Sequence, residues 1–80
     1  MRLPRDLTGA QLIRALAKLG YGATRQTGSH VRLTCGLPEQ HHVTVPLHDP
    51  LRIGTLAAIL AAVADAHSMT RDELQAKLLG

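Results

Sequence analysis

Residues 30–35, His30-Val31-Arg32-Leu33-Thr34-Cys35, alternate strictly between polar and apolar side chains. That period of two belongs to a β-strand with one wet face and one dry face. Val31, Leu33 and Cys35 point one way and must meet a core, while His30, Arg32 and Thr34 point the other. The pattern returns in His41-His42-Val43-Thr44-Val45-Pro46, with Val43 and Val45 inward, so His42 and Thr44 share the face of His30. Gly36-Leu37-Pro38-Glu39-Gln40 between them has turn composition. An earlier strand over Tyr21 to Arg25 joins the meander through a corner at Gln26 to Ser29; Gly22 weakens it and predicts a bend or an edge position.

Helical periods flank this sheet. Thr8-Gly9-Ala10-Gln11 forms a capping box, Leu12, Ile13, Leu16 and Leu19 follow on one face, and Gly20 stops the helix. Arg14 and Lys18 make a cationic ridge off that stripe, readable as an anion-binding surface or as a solvated face. After a loop at Leu47-His48-Asp49-Pro50-Leu51, a second helix starts near Gly54-Thr55, buries Leu56, Ile59, Leu60 and Val63, and ends near His67. Thr70-Arg71-Asp72-Glu73 is a second capping box, so a short last helix carries Leu74, Leu78 and Leu79, either as a partner surface or as a cap on the core. The expected architecture is α+β: a helix, a three-stranded antiparallel sheet, a second helix on the same sheet face, and a short C-terminal helix.

Composition narrows the function. A chain of 80 residues makes one domain, here 1–80, and buries only about 60 to 65% of its unfolded surface. Trp and Phe are absent and Tyr21 is the single aromatic, so no ring platform exists for splayed bases. That disfavours binders of the RNA-recognition-sheet or oligonucleotide-barrel kind and leaves helical or backbone-led nucleic-acid binding open. Nine Lys and Arg against six Asp and Glu give a net charge of +3, a modest bias toward anionic partners. Cys35 is the only cysteine, which rules out an intramolecular disulfide. The lead-in Met1 to Leu7 has no apolar signal core, and the Ala-rich run after Leu56 is too short to span a bilayer. The chain reads as cytosolic, with no membrane partner.

Chemistry concentrates at Thr24-Arg25-Gln26-Thr27-Gly28-Ser29-His30, with Arg32 two residues on. A Gly-Ser corner lets backbone amides approach an anion, and the residue after it is held by the strand. Histidine, with an ordinary pKa of about 6.5, exchanges protons near neutrality, so His30 is either a catalytic group or a solvated hairpin residue. A metal centre drawing on Cys35, His41, His42 and His48 is the competing chemistry. His41 and His42 point to opposite faces and Cys35 points inward, so no three of these converge without a bulge, and no metal or other cofactor is expected. His48 beside Asp49 is an oriented acid–base partner or an ordinary turn residue; His67, near a helix C-terminus, is a cap or is stabilised there by the helix dipole.

Arg25-Gln26-Thr27-Gly28-Ser29-His30, Val43-Thr44-Val45-Pro46-Leu47-His48 and Gly54-Thr55-Leu56, in that order, resemble the HicA family of toxin ribonucleases over roughly residues 8 to 66. The resemblance implies a fold similar to the double-stranded RNA-binding domain, α-β-β-β-α. It further implies metal-independent cleavage of messenger RNA, neutralisation by a HicB-type antitoxin, and contact with promoter DNA only through the antitoxin complex. By motif, the catalytic histidine falls on His30, Gly28 and Ser29 match the flanking motif, and His48 matches a second recurrent histidine. The expected RNA-binding set is Arg25, Gln26, Gly28, Ser29, Arg32 and His48. Val31-Arg32-Leu33 is more aliphatic and cationic than the family pattern, and the terminal helix is longer than some relatives have. A catalytically silent RNA-binding module of the same fold is the alternative function.

Overall fold

The computed structural model describes residues 3–79, so Met1 and Arg2 of the lead-in segment and Gly80 lie outside the described residues. Helix α1 spans Gly9–Leu16 and closes through a 3₁₀ turn at Ala17–Leu19. Strands β1 (Gly22–Thr27), β2 (His30–Cys35) and β3 (His41–Pro46) follow, then α2 (Ile53–Ala66) and α3 (Arg71–Leu79). The strands form one antiparallel sheet in the order β1-β2-β3. This is the expected α-β-β-β-α layout with an added helix.

Local chemistry explains the helix starts. Thr8 accepts from the Gln11 amide at 3.1 Å while the Gln11 side chain accepts from the Thr8 amide at 2.9 Å, so two otherwise orphaned donors are satisfied. Thr70 and Glu73 repeat the device at α3, with bonds of 3.1 and 2.9 Å. The first of Glu73's listeners is the Thr70 backbone, whose hydrogen bond holds the carboxyl below its ordinary range.

The core is aliphatic. Val31, Leu33, Cys35, Val43 and Val45 from the sheet meet Leu12 and Leu16 of α1 and Leu56, Ile59, Leu60 and Val63 of α2. Each such leucine removed from water stabilises the fold by about 1.5 to 3 kcal/mol. Leu74 and Leu78 are buried against the same cluster, so α3 caps the core. Gly9 sits so near the end of β3 that a methyl there would run into the Pro46 carbonyl oxygen; its amide donates to the His48 carbonyl at 2.9 Å. The start of α1 is thereby fixed beside the end of the sheet.

Strand β1 runs two residues further than the expected Tyr21 to Arg25, and the corner shrinks from Gln26–Ser29 to Gly28 and Ser29 alone. The reason is the two-residue turn at Gly28 and Ser29, which lets Gln26 and Thr27 pair with Val31 and His30; a register shift between Ala23 and Arg25 lies beyond these pairs. The strand is an edge, as Gly22 suggested, and every one of its residues is exposed. Among the described residues, no single helix is long and apolar enough to cross a membrane.

Candidate active surface

The face of the sheet turned away from the helices is a small lattice of polar side chains. Arg25 pairs with Arg32, and Arg32 with Thr44, giving one row across all three strands. Thr27 and His30 pair in the next row, and Thr34 and His42 in the row on the other side. Rows on one face are about 7 Å apart along a strand, and neighbouring strands lie about 4.8 Å apart. Side chains of this length can therefore converge on one group the size of a phosphate.

They enclose an open recess of about 450 Å³, lined by Arg25, Thr27, His30, Arg32, His42 and Thr44. None of those six is a carboxylate, and two are guanidiniums that stay charged at any physiological pH. The β-bulge makes this composition possible. Strict alternation from Ala23 would send Arg25 to the helix side, whereas the register shift puts both Thr24 and Arg25 on the polar face. Thr24 Oγ1 meets Thr34 Oγ1 at 2.8 Å, and the same Thr34 oxygen meets His42 Nδ1 at 2.8 Å. That chain of contacts crosses the three strands and orients the His42 ring.

His30 is placed by the hairpin beneath it. Gly28 has a φ of +58° and Ser29 does not share the positive sign, the pattern of a two-residue turn with glycine first. The Leu47 amide donates to the Ser29 carbonyl at 2.6 Å, tying the turn to the chain just after β3. The His30 side chain is solvent-exposed at the rim of the recess.

Of the expected site residues, the fold brings Arg25, His30 and Arg32 into the recess. Gly28 and Ser29 form the turn that leads into His30 and are not among the lining residues. Gln26 is not brought in: it pairs with Val31 on the other face, and its side-chain amide donates to the Gly28 carbonyl at 3.0 Å. His48 is exposed in the loop after β3 and is not among the lining residues. Thr27, His42 and Thr44 line the recess but were not in the expected set, although the alternation around Val43 already put His42 and Thr44 on this face.

A second polar cluster occupies the helix side. Tyr21, buried beneath the C-terminus of α2, places its hydroxyl 2.5 Å from His41 Nε2 and 3.1 Å from His67 Nε2. Burial, and then the nearby Cys35 thiol, push the Tyr21 phenol up to about 12. His67 is the C-cap of α2, as expected, yet burial first and His41 second hold its imidazole below the ordinary histidine range. A dipole-stabilised cation would show the reverse.

The family model described as HicA toxin of bacterial toxin-antitoxin matches residues 9–64, which takes in α1, the whole sheet and most of α2. The chain belongs to the HicA toxin family. No curated protein and no solved structure matches it. The HicA match contains every residue of the recess, while α3 lies beyond its end.

Proposed function

We propose that this HicA-family toxin acts, as one domain, as a metal-independent endoribonuclease of the cytoplasm. Its substrate is messenger RNA and its inhibitor a HicB-type antitoxin that covers the polar sheet face. The observation that carries the reading is the recess itself, where the exposed imidazoles of His30 and His42 stand among two guanidiniums and two threonine hydroxyls with no carboxylate among its lining residues.

RNA carries its own nucleophile. Removal of the 2′-hydroxyl proton lets that oxygen attack the adjacent phosphorus, forming a cyclic phosphate and expelling the 5′-oxygen. His30 Nε2 or Nδ1 takes the proton; Arg25 and Arg32 hold the non-bridging oxygens. A positioned base supplies about 10² to 10⁴-fold, so phosphate positioning by the arginines supplies a large remaining part.

The test is cleavage of a long single-stranded RNA by purified protein in excess EDTA. His30→Ala should abolish cutting while leaving the circular-dichroism spectrum and the melting temperature unchanged, because the side chain is exposed on the sheet face turned away from the helices. Undiminished cutting by that variant removes His30 from the mechanism. RNA binding with no cutting by the unaltered chain favours the silent RNA-binding module instead.

A further inference from the structure

Cys35 ends β2 and His41 opens β3, and the two are cross-strand partners, so both side chains face the helices. The C-terminus of α2 brings His67 over them. One donor atom from each of Cys35, His41 and His67 lies within 4.8 Å of the other two. The His41 and His67 ring centroids are 5.6 Å apart, with the Tyr21 ring 5.3 and 5.7 Å from them.

Hydrogen bonds assign the ring protons. His41 Nδ1 lies 2.7 Å from the Glu39 carbonyl oxygen, which can only accept, so Nδ1 carries the proton and Nε2 keeps its lone pair. The Tyr21 hydroxyl donates to that lone pair and its oxygen accepts from His67 Nε2–H. A carbonyl behind an imidazole is the support that metal-bound histidines have, since it fixes the ring and raises the basicity of the far nitrogen. The fully buried Cys35 directs its thiol toward the Leu37 and Leu19 carbonyls at 3.3 and 3.5 Å. A phenol–imidazole network alone accounts for Tyr21 and the two rings. Cys35 also packs in the aliphatic core, and its sulfur lies within 4.8 Å of a donor atom on each of the two rings.

We infer that Cys35, His41 and His67 bind one zinc ion, with the Tyr21 oxygen or a water as the fourth donor. Sulfur and imidazole donors select a borderline-soft divalent ion over magnesium or calcium. Tetrahedral zinc with bonds of about 2.0 to 2.3 Å holds its donors roughly 3.3 to 3.7 Å apart, so side-chain rotations of about 1 Å close the cluster. Binding releases the Cys35 proton to solvent, moves the His67 proton from Nε2 to Nδ1 and breaks both hydrogen bonds of the Tyr21 hydroxyl, which keeps its proton and turns it away from the ion. An adjoining pocket of about 340 Å³, lined by residues that include Glu39, His41, Ala66 and Ser68, gives the ion a route from solvent. The site pins the end of α2 to the β2–β3 hairpin, on the opposite sheet face from His30. It stabilises the fold and takes no part in RNA chemistry.

The experiment is titration of the metal-free protein with Co²⁺, followed by displacement with Zn²⁺. One equivalent of Co²⁺ should give the intense visible bands of a tetrahedral ion and a near-ultraviolet sulfur-to-cobalt charge-transfer band, and Zn²⁺ should remove both and raise the melting temperature. Cys35→Ser should abolish the charge-transfer band, and His67→Gln, at a half-buried position that tolerates polarity, should weaken binding by more than about tenfold. His30→Ala should bind the ion as the unaltered chain does. Below its melting temperature, Cys35→Ser should cleave RNA at the unaltered rate, which separates this site from the catalytic one. Weak octahedral absorption only, or tetrahedral bands that survive both ligand substitutions, overturns the assignment.

Discussion

Arg25 and Arg32 stand opposite each other across the β1–β2 ladder, two guanidiniums on one open face. Like charges directly opposed on a sheet work against the fold. Arg25→Thr should therefore stabilise the RNA-free protein by about 0.2 to 1 kcal/mol in chemical denaturation, while weakening RNA binding. Loss of stability instead would mean that the pair is already neutralised by something else.

The same arginines set the ionic-strength response. For single-stranded RNA, Arg25→Ala and Arg32→Ala should each make the slope of log affinity against log salt shallower by about 0.7. Equilibrium binding over a range of salt concentrations measures it, and an unaltered slope denies them a phosphate.

His42 lies in the recess with its Nδ1 bound to Thr34. If His30 is the single proton-transferring group, His42→Ala should slow single-turnover cleavage by less than the about 10²-fold minimum expected of a general acid or base. A loss comparable with that of His30→Ala would make the two histidines an acid–base pair.

Tyr21 offers a spectroscopic reading, because the chain has one tyrosine and no tryptophan. Its folded phenol is held to about 12, above the ordinary 10.0. The unfolded chain releases the proton first, so this contribution to stability is complete below about pH 10 and fades as the pH climbs through 12. Tyrosinate absorbance should show the two midpoints in native buffer and in denaturant; coincident midpoints would deny the burial. His67 acts at the other end of the scale. Its depressed folded pKa gives stability that is present above 6.5 and is lost on acidification.

Gly9 tests the joint between α1 and the sheet. Alanine is normally the better helix former by about 0.8 to 1 kcal/mol. Here its methyl meets the Pro46 carbonyl, so Gly9→Ala should destabilise by about 1 to 3 kcal/mol in thermal or urea unfolding. A gain in stability would show that α1 can shift away at little cost.

Much of this was legible in residue order. Alternation in His30–Cys35 and His41–Pro46 gives the polar face, and the Thr8/Gln11 and Thr70/Glu73 pairs mark helix starts because capping is a local interaction. The bulge near Thr24 was not legible, since it depends on which partner residue a strand meets, and that hid the turn of Gln26 to the other face. The cluster at Tyr21 was half-legible. Cys35 and His41 flank the hairpin loop and so must be neighbours, but nothing local says that the end of α2 returns to place His67 above them.

Strand β2 presents His30 on one surface and, five residues on, Cys35 on the other, about 17 Å away along the chain. A backbone ladder between them acts as insulation: whatever occupies one surface has no shared side chain through which to be felt at the other. His30→Ala should then leave the stability cost of His67→Gln unchanged to within about 0.3 to 0.5 kcal/mol in the double variant. A six-residue strand can thus serve two unrelated chemistries back to back, each free to vary without disturbing its neighbour.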